Sequence, residues 1–93
     1  MDKNISKLNN TANLIFENIL HNIDVKGADI YHTIDNSIVK LIFAVNAKRE
    51  IDEVVIYIQY KFNSEEIYPK FEFFDNISDE LKDRFVKITN KYI

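Results

Sequence analysis

The chain has 93 residues, 46% of them hydrophobic and including seven Phe and five Tyr; this suits one domain with one core over residues 1–93 and leaves no room for a separate catalytic domain. Twelve basic against fifteen acidic side chains give a net charge of −3, which disfavours direct nucleic-acid binding, because that affinity comes from clustered Lys and Arg. Cysteine is absent, which excludes disulfides, thiolate zinc sites and cysteine nucleophiles and makes a reducing, cytoplasmic setting the default expectation.

From Ile5 to Ile23 the apolar residues Ile5, Leu8, Ala12, Ile15, Ile19 and Ile23 recur at three- and four-residue spacing, which predicts a long amphipathic helix, with Phe16 and Leu20 widening its stripe. Asp2 or Asn4 is placed to cap its start. Gly27, the only glycine, marks the exit or opens the strand that follows.

Ala28, Ile30, His32 and Ile34 alternate with Asp29, Tyr31, Thr33 and Asp35, the period of a half-buried strand. Asp35-Asn36-Ser37 supplies a tight turn without glycine, because Asn and Asp tolerate positive φ. A second strand is expected from Ile38 to Asn46. Its row Val39, Leu41, Phe43 and Val45 is apolar, and so are Ile38 and Ile42 on the other side, which points to a central position.

Ala47-Lys48-Arg49-Glu50-Ile51-Asp52 reads as the next turn, and Val54, Ile56, Ile58, Tyr60 and Phe62 as the inward row of a third strand. Asn63-Ser64-Glu65-Glu66 ends it. Pro69 cannot donate to a ladder, so Phe71, Phe73 and Phe74 mark a short fourth strand at an edge. Ser78 followed by Asp79 and Glu80 signals a helix start, and Ile77, Leu81, Phe85, Ile88 and Tyr92 give its apolar stripe, with Lys87 and Lys91 near its end. The expected fold class is α+β: a four-stranded antiparallel meander sheet flanked by N- and C-terminal helices (α-β-β-β-β-α), both helices packing on one face as a two-layer sandwich.

The chain opens without a basic run leading into an unbroken apolar stretch, so no secretion signal is expected. The longest apolar runs, Leu41 to Val45 and Val54 to Ile58, span five residues, against the roughly 20 of a membrane-spanning helix. No membrane partner is expected. Ile, Asn, Lys, Phe and Tyr dominate the composition, a bias that points to AT-rich coding in a low-GC bacterium or its mobile elements.

No residue constellation carries recognisable chemistry. His21 and His32 lack partners at ligand spacing within their own elements, so neither a metal site nor a cofactor is expected. His21 reads as a helix-end residue and His32 as part of an apolar row. Ser37, His32 and Asp35 belong to one hairpin and lack a glycine-rich elbow or an oxyanion loop, which speaks against nucleophilic catalysis. A single glycine rules out glycine-rich phosphate loops. The acid pairs Asp52-Glu53 and Glu65-Glu66 read as exposed turn residues, since a glycosidase-type pair needs a cleft. No catalytic residue is assigned, and the chain is read as a non-enzyme.

Two surface features remain. Residues 51–75 hold six acids against Lys61 and Lys70, a local charge of −4, so Asp52, Glu53, Glu65 and Glu66 are candidate partner-binding residues that steer a basic protein. Their alternative role is to keep a sheet rim from aggregating. On the sheet face away from the helices, alternation places Tyr31, Ile38, Ile42, Val55 and Tyr57 beside Thr33, Lys40, Gln59 and Lys61. Tyr31, Ile42 and Tyr57 are the candidate anchors of a protein contact.

In size, charge and composition the chain resembles small acidic anti-defence proteins of phages, including anti-CRISPR proteins, and toxin-immunity proteins. That resemblance implies an inhibitor of another macromolecule, a basic nucleic-acid-binding protein for example, acting by steric and electrostatic occlusion. A homodimer that pairs through its open face or edge strand, as a structural adaptor or small chaperone, is the alternative. A small-ligand binder or enzyme ranks below both, for want of a pocket with convergent polar groups.

Overall fold

The structure, a computed structural model, describes residues 2–45 and 52–93, with side chains from Ile5 onward. Its elements are α1 (Asp2–Asn22), β1 (Gly27–His32), β2 (Ile38–Ala44), β3 (Glu53–Tyr60), β4 (Ile67–Phe73) and α2 (Asp79–Asn90). The strands form one antiparallel sheet in the order β1-β2-β3-β4. This is the α+β meander expected from the hydrophobic periods. The turn at residues 47–51, the reach of the second strand to Asn46 and capping by the side chains of Asp2 or Asn4 lie outside the described residues and side chains.

The helical stripe and the strand rows meet in a single core. Leu8, Ala12, Ile15 and Ile19 of α1 are fully buried against Val39, Leu41 and Phe43 of β2 and Val54, Ile56 and Ile58 of β3, and Ile77 and Phe85 join them from the C-terminal segment. Side chains directly opposite each other in an antiparallel pair share a face. The pairs Val39↔Ile58, Leu41↔Ile56 and Phe43↔Val54 therefore set one row of the sheet against the helices. Phe43 is the hub, its ring 5.4 Å from Phe16 and 5.6 Å from Phe85, both tilted. Each such side chain contributes roughly 1.5–3 kcal/mol by burial. Leu20, at the margin of the α1 stripe, stays exposed.

The β1–β2 turn is closed by polar atoms. Asn36 takes φ 57°, and the Asp35 carboxylate accepts from the Ser37 amide (3.1 Å), the Ser37 hydroxyl (2.7 Å) and the Thr33 hydroxyl (2.8 Å). Thr33 belongs to this turn, so β1 ends at His32 and Ile34 projects into solvent instead of completing the inward row. His32 lies on the helix side by register, opposite Val39, and is exposed at the strand's end.

At the β3–β4 turn Lys61 N–H donates to Glu66 C=O (2.8 Å), and Asn63 takes φ 53°. The chain has thus already turned at Phe62, whose ring is 93% exposed, so Phe62 does not extend the inward row as its spacing had implied. β4 is longer than expected and contains Pro69. Pro69 pairs with Ile58, whereas the closed pairs Lys61–Glu66 and Phe74–Glu53 fix the bonded phase three and five residues away, so that the Pro69–Ile58 pair falls out of that phase. The missing donor of Pro69 therefore faces outward, where an edge strand needs none. Ser78 caps α2 by accepting from Leu81 N–H (3.2 Å).

Candidate functional site

The sheet face away from the helices is built by strand alternation. Two rows cross it in register, Tyr31–Lys40–Tyr57–Lys70 and Asp29–Ile42–Val55–Glu72, and Ile38–Gln59–Tyr68 forms a third towards the β1–β2 turn. Tyr31 is 52% exposed, Ile42 and Tyr57 are half-buried, and Val55 is buried at the centre. The three aromatic and aliphatic candidates, Tyr31, Ile42 and Tyr57, thus share one face.

Polar contacts hold this face in a defined arrangement. Lys40 Nζ lies 5.7 Å from the centre of the Tyr57 ring, within the range of a cation–π attraction. The Tyr57 hydroxyl hydrogen-bonds Glu72, its diagonal neighbour on β4; burial first, and then this carboxylate, raise its pKa above 10.0. Gln59 Nε2 donates to the Tyr68 hydroxyl over 2.7 Å. Tyrosines fixed in this way present area with little entropy left to lose on binding.

The acidic candidates do not form one edge. Asp52 is 2% exposed and accepts from Asn76 Nδ2 at 2.8 Å, so it is a buried joint and not the solvated turn charge that its position implied. Glu53 begins β3 on the open face, opposite Ala44. Glu65 and Glu66 lie in the turn beyond the other end of β3, about 25 Å away along the strand at ~3.3 Å per residue. That separation exceeds two Debye lengths of ~8–10 Å, so the two ends act independently. Glu66 is paired with Lys61 (2.9 Å), which lowers its pKa, and Glu65 offers its backbone carbonyl to Lys7 (3.3 Å). Glu72, which received no emphasis in the linear pattern, is brought to the open face by the β3–β4 register.

Other surface chemistry is structural in character. Ser37 and Asp35 are spent on the β1–β2 turn, with the Asp35 pKa lowered first by the Ser37 hydroxyl and then by that of Thr33. A concavity of about 330 Å³ between the helices is lined by Asn22, Arg84, Lys87, Ile88 and Lys91. Its cations serve the helices: Arg84 donates to the Asn22 carbonyl at the end of α1, and Lys87 pairs with Asp83 (2.9 Å). Among the described residues no group of three or more His, Asp or Glu side chains is arranged to hold a metal, and no helix is long and apolar enough to cross a membrane.

No protein-family model matches the chain, and no curated protein or solved structure matches it significantly.

Proposed function

We propose that this protein is a non-enzymatic, cytoplasmic protein-binding module that occludes a basic surface of another macromolecule, with the open sheet face as its contact. The observation that carries the reading is the face itself: Tyr31, Ile42, Tyr57 and Val55 lie in adjoining rows, both helices pack on the opposite side, and Asp29, Glu53 and Glu72 stand around the apolar centre. Aromatic anchors surrounded by charge are the composition of an interface core and rim. The net charge of −3 favours a partner whose exposed groups are cationic, such as a nucleic-acid-binding protein. Inhibition then needs no chemistry, because a domain seated on the basic surface keeps its nucleic acid away. Size, acidity and composition of this kind are shared with phage anti-defence and toxin-immunity proteins.

The test is capture from a low-GC bacterial host with wild-type protein and with Ile42→Glu as paired baits, each checked for an unchanged melting transition. Recovery by the wild type alone of a basic nucleic-acid-binding protein, whose activity then falls in stoichiometric titration, supports the reading. Equal recovery by both baits, or capture without any effect on the captured protein's activity, removes the open face or the inhibition respectively.

A further inference from the structure

The two edges of the sheet are not equally guarded. Thr33 N–H donates to Ile38 C=O and Val45 N–H to Asp52 C=O, which sets the hydrogen-bond phase through β1 and β2: Asp29 and Tyr31 point their peptide groups at β2, whereas Ala28, Ile30 and His32 point theirs outward. At the far edge the outward positions of β4 are Ile67, Pro69, Phe71 and Phe73, and the proline removes a donor from the middle of that row. β1 carries no proline, and its one charged residue, Asp29, points to the open face. Such an edge is a template for another strand.

We infer that β1 pairs antiparallel with β1 of a second copy, centred on Ile30, to join two sheets into one. The strand is complementary to itself in that register. Ala28, Ile30 and His32 each donate and accept across the two-fold axis, Ile30 meets its own copy on the helix side, and Ala28 meets His32. On the open face Asp29 stands opposite Tyr31 of the other copy, so no like charges oppose. Sliding by one bonded pair towards Ala28 would set Asp29 against its own copy and lose ladder contacts, and sliding the other way loses contacts only. The two-fold register is therefore selected by both bonding and charge. With only six residues in the strand, the buried area falls at the small end of specific interfaces, below ~1,200 Å², so the dimer depends on concentration. It extends the open face across two copies and stands independently of the function proposed above.

Sedimentation equilibrium across micromolar to millimolar protein tests it, with His32→Pro as the edge-blocked variant; Pro69 shows that this sheet accommodates proline at an outward edge position. The wild type is expected to dimerise, and His32→Pro, losing a ladder bond in each copy, to dimerise roughly tenfold or more weakly at an unchanged melting temperature. Register is read separately in this cysteine-free chain by mixing Asp29→Cys with Tyr31→Cys. The mixed disulfide is expected to form faster than either symmetric one, since only residues 29 and 31 of opposite copies face each other at bonding distance. A wild type that stays monomeric throughout overturns the inference, and so does a dimer that yields no preference for the mixed disulfide. If His32→Pro fails to fold, the disulfide preference alone decides.

Discussion

Asn76 Nδ2 donates to Asp52 Oδ1 over 2.8 Å, and the carboxylate that receives this bond is 2% exposed. The contact ties the segment after β4 to the residue that leads into β3. The backbone carbonyl of Asp52 meanwhile accepts from Val45 N–H (2.9 Å) and so extends the β2–β3 ladder. One residue thus fastens the end of the sheet from two sides. Asn76→Ala leaves a buried carboxylate short of its donor and is expected to lower stability by about 1.5–3 kcal/mol. Urea unfolding of Asn76→Ala, Asp52→Ala and the double variant checks this; effects that simply add would mean that the bond contributes nothing.

Ile56 and Ile58 are both fully buried and stand two residues apart on the helix side of β3, opposite Leu41 and Val39. Ile56→Ala is expected to destabilise by roughly 2–5 kcal/mol, because the methyl groups it deletes are packed on every side. Ile42→Ala, on the half-buried open face, removes less packing and should cost less. Thermal melts of the two variants side by side test the register, and a reversed order of the two effects would place β3 wrongly on its faces.

The strand rows were legible in the sequence because burial on one side imposes a period of two, and Val39, Leu41, Phe43, Val54, Ile56 and Ile58 keep that period without a break. The ends were not. Ile34 and Phe62 continue the apolar alternation, but Thr33 with Asp35 in one turn and Asn63 in the other have already redirected the backbone, and such hydrogen bonds leave no periodic trace. The open face was readable as a set of residues, since alternation alone assigns Tyr31, Ile42 and Tyr57 to it. Glu72 was not, because its bond to Tyr57 depends on the β3–β4 register. Asp52 was misplaced for the same reason: its partner Asn76 lies beyond a whole strand, and adjacency to Glu53 says nothing about burial.

The Asp35 carboxylate gathers the Ser37 amide, the Ser37 hydroxyl and the Thr33 hydroxyl, so its pKa in the folded protein lies below the ordinary 3.8. The unfolded chain therefore takes up this proton first as pH falls. The turn's contribution is fully present above the ordinary value and is lost as pH drops through the depressed one. Asp35→Asn is expected to flatten that acid limb by removing the turn's contribution near neutrality, so that the two proteins converge only at low pH. Amide exchange at Ser37 and Ile38 followed from pH 6 to pH 2 in both proteins provides the comparison; identical acid limbs would remove Asp35 as the cause.

Thr89 is fully buried on α2, and its hydroxyl has no hydrogen-bond partner among the described residues. A buried hydroxyl with nothing to bond forfeits its hydration without return. Thr89→Val keeps the branched shape and helix propensity while replacing the hydroxyl by a methyl group. It is expected to raise stability by about 1 kcal/mol. Denaturant midpoints measured at constant slope check this, and a destabilised variant would indicate that the hydroxyl is satisfied in solution.

The proposed binding role separates into two kinetic signatures, because the side chains involved differ in how far their influence reaches. Carboxylates act on a basic partner before contact, so reversing Glu53 and Glu72 to Lys on the open face is expected to slow association and to weaken the salt dependence of the wild type. Glu65→Lys and Glu66→Lys, roughly 20–25 Å away along the sheet at ~3.3 Å per residue, should change association less. Asp52 belongs in neither set, since a lysine in its buried place would unfold the end of the sheet and confound the reading. Tyr31 and Tyr57 act only after contact, so truncation of either to Ala should mainly speed dissociation, by a factor that changes little with salt. For Tyr57 this loss includes the order that Glu72 and Lys40 impose on its ring. Surface-plasmon kinetics against one captured partner at two ionic strengths resolve the terms. If the tyrosine variants leave dissociation untouched while reversal of Glu65 and Glu66 slows association, the contact lies at the β3–β4 turn, and the open sheet face is not the binding surface.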